Sequence, residues 1–411
     1  MVRAAAKNHA NVAIVTTPAR YDAVLAAIAD GGVGDGLRSA LAIEAYRHTA
    51  AYDARIAEVL PARMAAAGVP LPDEPGMPGA TDPYPESLTV ALEKVDSLRY
   101  GENPHQSAAR YRRPGSGAAD GPFATGEPPL QGKALSYNNV LDASAAAALG
   151  RALRGPGCVI VKHTNPCGAA ERLTLLEAWE AAFAGDPVSA FGGVVALTRP
   201  VDAATAQSLI AIFLEVVVAP AFEPEALEIL ARKPNLRLVV DPALAGDGPA
   251  ESPDPRGSIR TAGGAVLVTA PDTVPDDPAA WTVVTHRDPT AAERADLDLA
   301  WRLVRGVVSN AIVLVRDARL IGMGSGQTSR VNAARGAVDQ ALAHAGADPL
   351  RGAACASDAF FPFTDALDVC LAAGVSAFVQ PGGSVRDPEL VAAADAAGAA
   401  MLVTGTRHFR H

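Results

Sequence analysis

Residues 159–168 read Val-Ile-Val-Lys-His-Thr-Asn-Pro-Cys-Gly and mark the point where an apolar segment meets a polar turn. The apolar, mostly β-branched segment 158–161 is typical of a buried strand. Lys162 and His163 follow at its carboxyl end, before a Thr-Asn-Pro turn. An imidazole exchanges a proton near neutral pH, and an ammonium stabilises developing negative charge. The stretch therefore indicates either proton-transfer chemistry or a strand end that is merely polar.

The composition of the 411-residue chain predicts an α/β protein with more than one domain. Hydrophobic residues make up 49% and aromatic residues 5%, with 37 Gly and 32 Pro. A net charge of −10 argues against general nucleic-acid binding, and no segment is apolar for long enough to span a membrane. The four Cys form no Cys-x-x-Cys pair, which predicts a reduced, cytoplasmic setting without structural zinc. We expect neither nucleic acid nor a membrane as a partner.

Alternating strand and helix patterns predict two similar α/β halves joined near residues 245–285. A capping box of Thr174 and Glu177 marks one helix start. The predicted helices are 24–29, 37–60, 174–184, 203–214, 290–304, 333–345, 364–373 and 388–396. The predicted strands are 12–15, 158–161, 194–197, 215–219, two strands within 311–322, 353–356, 375–379 and 400–403. Gly- and Pro-rich stretches at 70–85, 112–129 and 245–257 are predicted to be a linker and two surface loops.

Two further segments concentrate hydrogen-bonding groups. Residues 97–106 read Ser-Leu-Arg-Tyr-Gly-Glu-Asn-Pro-His-Gln, where Arg99 suits a phosphate and Tyr100 offers a hydroxyl and a ring face. Residues 186–193 read Asp-Pro-Val-Ser-Ala-Phe-Gly-Gly, where glycine lets the backbone approach a ligand closely. A polar loop and a plain turn are equally good interpretations of these two segments by themselves.

Three segments near the C-terminus are less decisive. Residues 321–330 have glycines spaced Gly-x-Gly-x-Gly without an acidic ribose partner, so a turn presenting Gln327 and Arg330 at a helix start is expected rather than a dinucleotide site. The three Phe within 357–365 suit either a flat ligand ring or the core, and the core is favoured. The final residues 405–411 suggest a frayed basic tail.

These motifs, taken in order, resemble one family. The segments concerned are 98–106, 162–168, 186–193, 322–330 and 357–363. Together they resemble the bifunctional AICAR transformylase/IMP cyclohydrolase family of purine biosynthesis, AICAR being aminoimidazole carboxamide ribonucleotide. The resemblance runs from residue 1 to residue 411.

The resemblance implies a fold and a reaction. It implies two tandem cytidine-deaminase-like α/β domains, preceded by a remnant of the α/β cyclohydrolase domain. The family transfers a formyl group from 10-formyltetrahydrofolate to the 5-amino group of AICAR and then closes the product to IMP. It works as a homodimer with transformylase sites between subunits. It requires no metal and is compatible with a bound monovalent cation.

The resemblance also implies roles for particular residues. Lys162 and His163 match the catalytic pair, and Asn310 matches the residue that orients the carboxamide. The other matching positions lie around the nucleotide and folate, namely Arg99, Tyr100, Glu215, Arg330, Phe360, Asp365 and Arg407. The arginine of the C-terminal segment therefore gains a role that its composition alone did not suggest.

The beginning of the chain departs from the family pattern. Residues 3–9 resemble a stretch well inside the cyclohydrolase domain, and Lys7 matches one of its site residues. The family's N-terminal phosphate loop has no counterpart in the 411 residues, so we expect ring closure to be lost. The implied division is 1–70 cyclohydrolase remnant, 71–90 linker, 91–245 first transformylase subdomain and 246–411 second transformylase subdomain.

Two other classes of function compete with formyl transfer. A deaminase-like zinc hydrolase needs His-x-Glu and Pro-Cys-x-x-Cys patterns, but Cys167 has no second cysteine at that spacing. A non-enzymatic nucleotide-binding regulator would not need an intact catalytic set, whereas Lys162, His163 and Asn310 are all present. A formyl transferase is therefore the preferred hypothesis.

Overall fold

The computed structural model describes residues 1–69, 84, 87–117, 120–246, 257–344 and 348–411. The chain forms two compact units. One contains residues 1–95, 111–116 and 258–269, and the other contains residues 96–110, 117–257 and 270–411. Most of the predicted linker at 70–85 and most of the predicted loop at 245–257 lie outside the described residues.

Helices and strands alternate along most of the chain. The helices are α1 Val2–Lys7, α2 Tyr21–Ala29, α3 Asp35–Ala66, α4 Tyr137–Arg151, α5 Leu175–Gly185, α6 Pro187–Ala190, α7 Ala203–Leu209, α8 Pro224–Leu230, α9 Ala291–Val304, α10 Arg330–His344, α11 Asp365–Ala372 and α12 Asp387–Ala396. The strands are β1 Glu93–Leu98, β2 Ala108–Arg112, β3 Gly157–Lys162, β4 Asn165–Glu171, β5 Val194–Leu197, β6 Val216–Ala219, β7 Arg237–Val240, β8 Ser258–Ala262, β9 Ala265–Thr269, β10 Thr282–Val283, β11 Ile312–Arg316, β12 Arg319–Gly324, β13 Ala354–Ser357, β14 Ala377–Gln380 and β15 Ala400–Val403. None of the helices in the described residues has the length and apolarity needed to cross a membrane.

The first unit consists mainly of helices α1 to α3 and the hairpin of β8 with β9. Its buried cluster is small and consists of Ala6, Ala42 and Ala45, with Val2 and Ile14 packed against it. The predicted strand at 12–15 is wrong, because these residues follow α1 without strand structure. The β-branched sequence favours an extended chain, but a strand also needs a neighbour to pair with its backbone groups.

The second unit is organised by an eleven-stranded mixed sheet in the order β10-β15-β14-β13-β11-β12-β4-β3-β5-β6-β7. In the first half, β3 pairs antiparallel with β4 and β5, and β5, β6 and β7 run parallel. In the second half, β11 pairs antiparallel with β12 and β13, and β13, β14 and β15 run parallel. The two halves have the same topology, and they join where β4 pairs antiparallel with β12. An α/β class with two similar halves is confirmed; the likeness to cytidine deaminase stays a prediction.

Helices cover both faces of this sheet. Alternate strand residues such as Val159 and Val313 face a cluster that includes Leu149 of α4 and Trp301 of α9. The opposite face of the first half packs against α5, α7 and α8, and that of the second half against α10, α11 and α12. The central strands are buried on both faces, which explains why they read as continuous apolar runs rather than alternating ones.

Capping boxes mark where several helices begin. The predicted capping box at Thr174 and Glu177 is confirmed at the start of α5, and further boxes begin α4 and α9. The helix predicted at 203–214 ends earlier, at Leu209. Helices α4 and α8 and strand β7 were not predicted. The Ala-rich sequence of α4 carries little helical periodicity, because its contacts with strands bury residues around much of its surface.

The close approach of α10 to β12 depends on glycine. A Cβ added at Gly324 would overlap the carbonyl oxygen of Ala333, and one added at Gly322 would overlap that of Ala337. Both carbonyls belong to helix backbone, which cannot move away cheaply. The helix can therefore lie directly on the strand only because these two positions have no side chain.

We predict that Gly324→Ala lowers the free energy of unfolding by about 1–3 kcal/mol, since the added methyl must displace α10. Urea unfolding followed by circular dichroism measures it. Gly336→Ala, on the exposed side of the same helix, is the control, because its Cβ would make only an ordinary contact 3.9 Å from Gly324 Cα. That variant should be neutral or more stable by up to ~1 kcal/mol. Equal effects at the two positions would contradict the packing argument.

Candidate active site

The predicted site residues from Lys162 onward lie along one edge of the eleven-stranded sheet. Strand β3 ends at this edge, and its antiparallel neighbour β5 begins there together with the parallel strand β6. In the second half β11 begins at the same edge, and β12, β13 and β15 end there. The residues that reach the edge in this way are Lys162, His163, Glu215, Asn310, Arg330, Phe360, Asp365 and Arg407. The topology thus gathers residues separated by more than half the length of the chain.

His163 and Thr164 form the two-residue turn between β3 and β4. Lys162 pairs with Asn165 across the hairpin, and φ is +53° at His163 and +63° at Thr164. Positive φ at both central residues defines a type I′ turn, which matches the twist of the strands. The Thr164 N–H donates to Asp142 Oδ1 at 2.7 Å, and the Asn165 amide donates to the His163 carbonyl at 3.0 Å. The exposed His163 side chain therefore lies on a turn that hydrogen bonds to Asp142 and Asn165 hold in place.

Lys162 connects this turn to the 186–193 segment. Its Nζ donates to the carbonyl oxygen of Phe191 at 2.9 Å. Asp186 caps the short helix α6 through the Ser189 N–H at 2.9 Å and also accepts from Gln340 Nε2 at 2.9 Å. The 186–193 segment is therefore a structural turn that also contacts a predicted catalytic side chain.

Cys167 is a packing residue rather than a nucleophile. Burial, reinforced by the charge of Asp186, raises the pKa of its thiol to about 12. The thiol therefore stays protonated near neutral pH. Within the described residues, no three His, Cys, Asp or Glu side chains are arranged to hold a metal ion.

Asn310 is fixed by a buried ion pair. Arg330 Nη2 donates to Asn310 Oδ1 at 2.7 Å, while its Nη1 lies 2.5 Å from Asp358 Oδ1. Asp358 is completely buried and also accepts from the Ser309 hydroxyl and from the Ala311 N–H at 3.2 Å. The guanidinium predicted to be an anion site at a helix start is thus paired inside the protein, where it orients Asn310.

The amide of Asn310 keeps part of its hydrogen-bonding capacity. Its Nδ2 donates to the Gln327 carbonyl at 2.8 Å, and its Oδ1 accepts from Arg330. A carboxamide has two N–H donors and two acceptor lone pairs, so one of each remains. The side chain is held in one orientation with a donor and an acceptor still available.

A hydrogen bond between the two halves brings the turn and the Asn310 region together. The Val308 N–H donates to Asn165 Oδ1 at 3.2 Å, two residues before Asn310 and two residues after His163. This contact crosses from the β3–β4 hairpin to the entry of β11. The structure therefore brings the Lys-His turn close to the segment that carries Asn310, while the roles of these residues stay predictions.

Other predicted residues vary in their surroundings. Glu215 accepts from Arg237 Nη1 at 2.6 Å, so its carboxylate is already paired. Phe361 is fully buried, but Phe360 and Phe363 are 39% and 51% exposed, so the expectation that all three Phe belong to the core is wrong. Asp365 is exposed at the start of α11. The three rings of the motif differ because the chain turns sharply after β13, so only Phe361 faces inward.

Arg99 and Tyr100 lie on a turn tied to α4. The Arg99 guanidinium stacks on the Tyr100 ring, 5.4 Å from its centroid, and Asn138 Nδ2 donates to the Glu102 carbonyl at 3.2 Å. Lys7 belongs to the other unit and is exposed at the end of α1. The roles of these three residues stay predictions.

The C-terminal segment is anchored, so the expectation of a frayed tail is wrong. His408 is only 1% exposed, and its Nδ1 lies 2.5 Å from Asp272 Oδ2 and its Nε2 3.3 Å from Asp276 Oδ1. We call Asp272, Asp276 and His408 the tail latch. The His408 N–H also donates to the Asp358 carbonyl at 3.1 Å, which ties the tail to the ion pair behind Asn310. Arg407 beside it is exposed and stacks on Phe409, 4.4 Å from its centroid.

The charges of the tail latch stabilise one another. Burial lowers the pKa of His408, but hydrogen bonds to Asp276 and Asp272 outweigh it and leave that pKa above its ordinary value of 6.5. Burial raises the pKa of Asp276, but hydrogen bonds from His408 and Trp301 and the charge of Arg305 bring it down to about 2. Both ring nitrogens face carboxylates, which accept but do not donate when ionised, so the imidazole is doubly protonated.

Sequence inspection missed Asp142, the charge partner Asp358 and the tail latch. One signal could have revealed Asp142, because it precedes His163 by 21 positions and Asp296 precedes Asp317 by the same 21. The tail latch leaves no local pattern, since Asp272 and His408 are 136 positions apart. Such pairs become visible only when the sheet is assembled.

The tail latch predicts a pH-dependent stability. The contribution of His408 is complete below its unfolded pKa, near 6.5, and is lost as pH rises through its higher folded value. The contribution of Asp276 is complete above its unfolded pKa, near 3.8, and is lost as pH falls toward about 2. His408→Gln should therefore lower the free energy of unfolding most between these two unfolded values, and less at alkaline pH.

Urea unfolding of wild type and His408→Gln at a series of pH values tests this. The control is His286→Ala, which removes a histidine whose side chain is 94% exposed in a surface ion pair. A His408→Gln effect that stays constant from acid to alkaline pH would show that the latch works without its charge.

Comparison with known proteins assigns the family. The chain matches the family model described as AICARFT/IMPCHase bienzyme over residues 5–340. All of its length aligns with the bifunctional purine biosynthesis protein PurH of Chloroflexus aurantiacus, Sorangium cellulosum and Desulfitobacterium hafniense, at 46%, 48% and 47% identity. The chain spans 74%, 76% and 75% of those relatives. The resemblance noted in the sequence is thereby confirmed, and the chain belongs to the AICARFT/IMPCHase bienzyme family.

Proposed function

We propose that this chain transfers the formyl group of 10-formyltetrahydrofolate to the 5-amino group of AICAR, giving formyl-AICAR and tetrahydrofolate. The family and its PurH relatives support a role in purine biosynthesis. The observation that carries the proposal is the meeting of the Lys162–His163 turn with the Asn310 region through the Asn165–Val308 hydrogen bond. That arrangement combines a base, a cation and a carboxamide-binding group.

The chemistry requires a base. The amine of AICAR is conjugated with a ring that carries a carboxamide, so it is a weak nucleophile and must lose a proton as it attacks the formyl carbon. In the proposal the imidazole of His163 accepts this proton, either directly or through the carboxamide. Its exposed position on the turn leaves it accessible to a substrate.

Lys162 supplies positive charge. Attack on the formyl carbon produces a tetrahedral oxyanion, and collapse of that intermediate releases a folate nitrogen that needs a proton. The Lys162 ammonium has three donors, of which one is directed to the Phe191 carbonyl. The remaining donors are free to stabilise the oxyanion or to protonate the leaving nitrogen.

Asn310 orients the substrate in this proposal. The donor and acceptor left on its amide match the acceptor and donor of another carboxamide. Since Arg330 and the Gln327 carbonyl fix the amide, the AICAR carboxamide would bind in one orientation. Holding the neighbouring amine near the formyl carbon contributes to the rate through positioning.

Binding of the two substrates is assigned to the remaining predicted residues. Arg99, Tyr100 and Arg407 offer exposed or half-exposed polar groups for the nucleotide. The exposed rings of Phe360 and Phe363 suit a flat pterin, and the exposed Asp365 is a further proposed contact. Arg330 and Glu215 are already paired with Asp358 and Arg237, so they are proposed to support the site from within the protein. The proposal also includes a homodimer with sites between subunits. It further divides the chain into a cyclohydrolase remnant (1–70), a linker (71–90) and two transformylase subdomains (91–245 and 246–411).

We predict that His163→Ala reduces formyl transfer by ~10²–10⁴-fold, the usual contribution of a general base, while AICAR binding changes little. Lys162→Ala should be comparably damaging. Lys162→Arg should recover little activity, because a planar guanidinium does not replace a compact ammonium. Formyl-AICAR is separated and quantified by chromatography, and AICAR binding is measured by calorimetry.

The surface variant His286→Ala controls for the loss of a histidine that has no part in the proposed chemistry. A loss below tenfold in His163→Ala would remove His163 from the role of base. A wild-type chain that binds AICAR without turnover would favour the nucleotide-binding regulator, and release of ammonia from AICAR would favour the deaminase.

We further propose that the 411-residue chain by itself does not close formyl-AICAR to IMP. Ring closure depends on bringing the formyl carbon and the carboxamide nitrogen together, and a single exposed Lys7 provides no such positioning. The prediction is that formyl-AICAR supplied to this chain yields no IMP above an enzyme-free control, as measured by chromatography. Clear IMP formation that disappears in Lys7→Ala would show that the first unit suffices.

A further inference from the structure

The turn that carries His163 needs support from outside the hairpin. Type I′ turns favour Asn-Gly, because both central residues have positive φ. This chain instead has a histidine at +53° and a β-branched threonine at +63°, and β-branched residues rarely adopt such angles. The turn persists because surrounding contacts select it over the alternatives.

Asp142 on α4 provides that support. Its Oδ1 accepts from the Thr164 N–H at 2.7 Å. Burial raises the pKa of Asp142, and the N–H groups of Thr164 and His163 together with the His163 imidazole oppose that shift. The half-buried carboxylate therefore interacts with both residues of the turn and with the imidazole itself.

The second half of the sheet contains the same arrangement of an aspartate and a turn, but its turn has no histidine. Asp317 and Ala318 form the β11–β12 turn with φ of +52° and +50°. Asp296 on α9 accepts from their N–H groups at 2.9 Å and 2.7 Å. Each half of the sheet therefore has a helix aspartate that accepts hydrogen bonds from the N–H groups of a type I′ turn, and the turn lies at the same position in each half.

The two turns differ in the charge that faces the aspartate. Burial raises the pKa of Asp296, the N–H groups of Ala318 and Asp317 oppose that shift, and the like charge of Asp317 adds to it. Asp142 faces an imidazole, whose protonated form it attracts. The charged groups that the contacts place at the first turn are Asp142 from α4 and Lys162 from β3, the latter directed to the Phe191 carbonyl.

We propose that Asp142 is a positioning residue for His163, holding the His163–Thr164 turn in its left-handed conformation and stabilising the imidazole once it has accepted the amine proton. This inference rests on the proposed formyl transfer. The proton passes from the 5-amino nitrogen of AICAR to a ring nitrogen of His163, and Asp142 remains ionised throughout. The carboxylate acts on the rate by orientation and by charge.

Matched substitutions in the two halves separate these effects from simple stability. Asp142→Asn and Asp296→Asn each remove one charge and one acceptor oxygen below a type I′ turn. Both should lower the urea midpoint by a similar amount. Only Asp142→Asn should reduce kcat, by about tenfold or more, with KM for AICAR changed less than about threefold, because substrate binding does not use the carboxylate.

The pH dependence identifies the charge effect. Without the carboxylate, the pH–rate profile of formyl transfer should differ from that of the wild type in Asp142→Asn. Asp296→Asn should leave the profile in place. The histidine NMR signal that disappears in His163→Ala should change its chemical shift in Asp142→Asn, and this measurement needs no turnover.

A compensating variant tests the orientation effect. Thr164→Gly suits positive φ, so adding it to Asp142→Asn should restore the urea midpoint but not the pH profile. An unchanged His163 NMR signal in Asp142→Asn, or equal kcat losses in Asp142→Asn and Asp296→Asn, would overturn the proposal. Absence of formyl transfer in the wild type would instead refute the proposed function, while the NMR result would still decide whether Asp142 acts on His163.

Discussion

The antiparallel pairing of β4 with β12 is the contact on which the arrangement of the site depends. It joins two α/β halves of identical topology into one sheet. Antiparallel joining brings the end of β3 and the beginning of β11 to the same edge. Because backbone hydrogen bonds fix the register, polar residues that are far apart in the sequence meet at this edge.

Buried charges then fix what stands at that edge. Arg330 and Asp358 lie in the interior, where an unpaired charge would be strongly unfavourable, so each requires the other. Their geometry holds Asn310 on one side, and the Asp358 carbonyl receives the His408 N–H on the other. The ion pair thus links the amide of Asn310 to the C-terminal segment.

The two halves contain the same arrangement of an aspartate and a turn in different surroundings. Each half contains a helix aspartate below a type I′ turn, yet only the first turn carries a histidine. The fold needs the turn at both places, since it closes a hairpin of the central sheet. The proposed chemistry needs an exposed imidazole at only one of them. A position that is structural in both halves is therefore available for catalysis in one.

The sequence by itself determined the local elements and the identity of the polar motifs. Apolar runs predicted β3 and β5, a capping box predicted the start of α5, and the motif order identified the family. These signals are local, because they depend on neighbouring residues along the chain. Tertiary structure decided what the polar side chains contact. Arg330 is paired with the buried Asp358, and His408 lies between two carboxylates. Asp142 accepts a hydrogen bond from the turn that carries His163. Each of these contacts joins residues far apart in sequence, and burial of a charge has no pattern in the residues beside it.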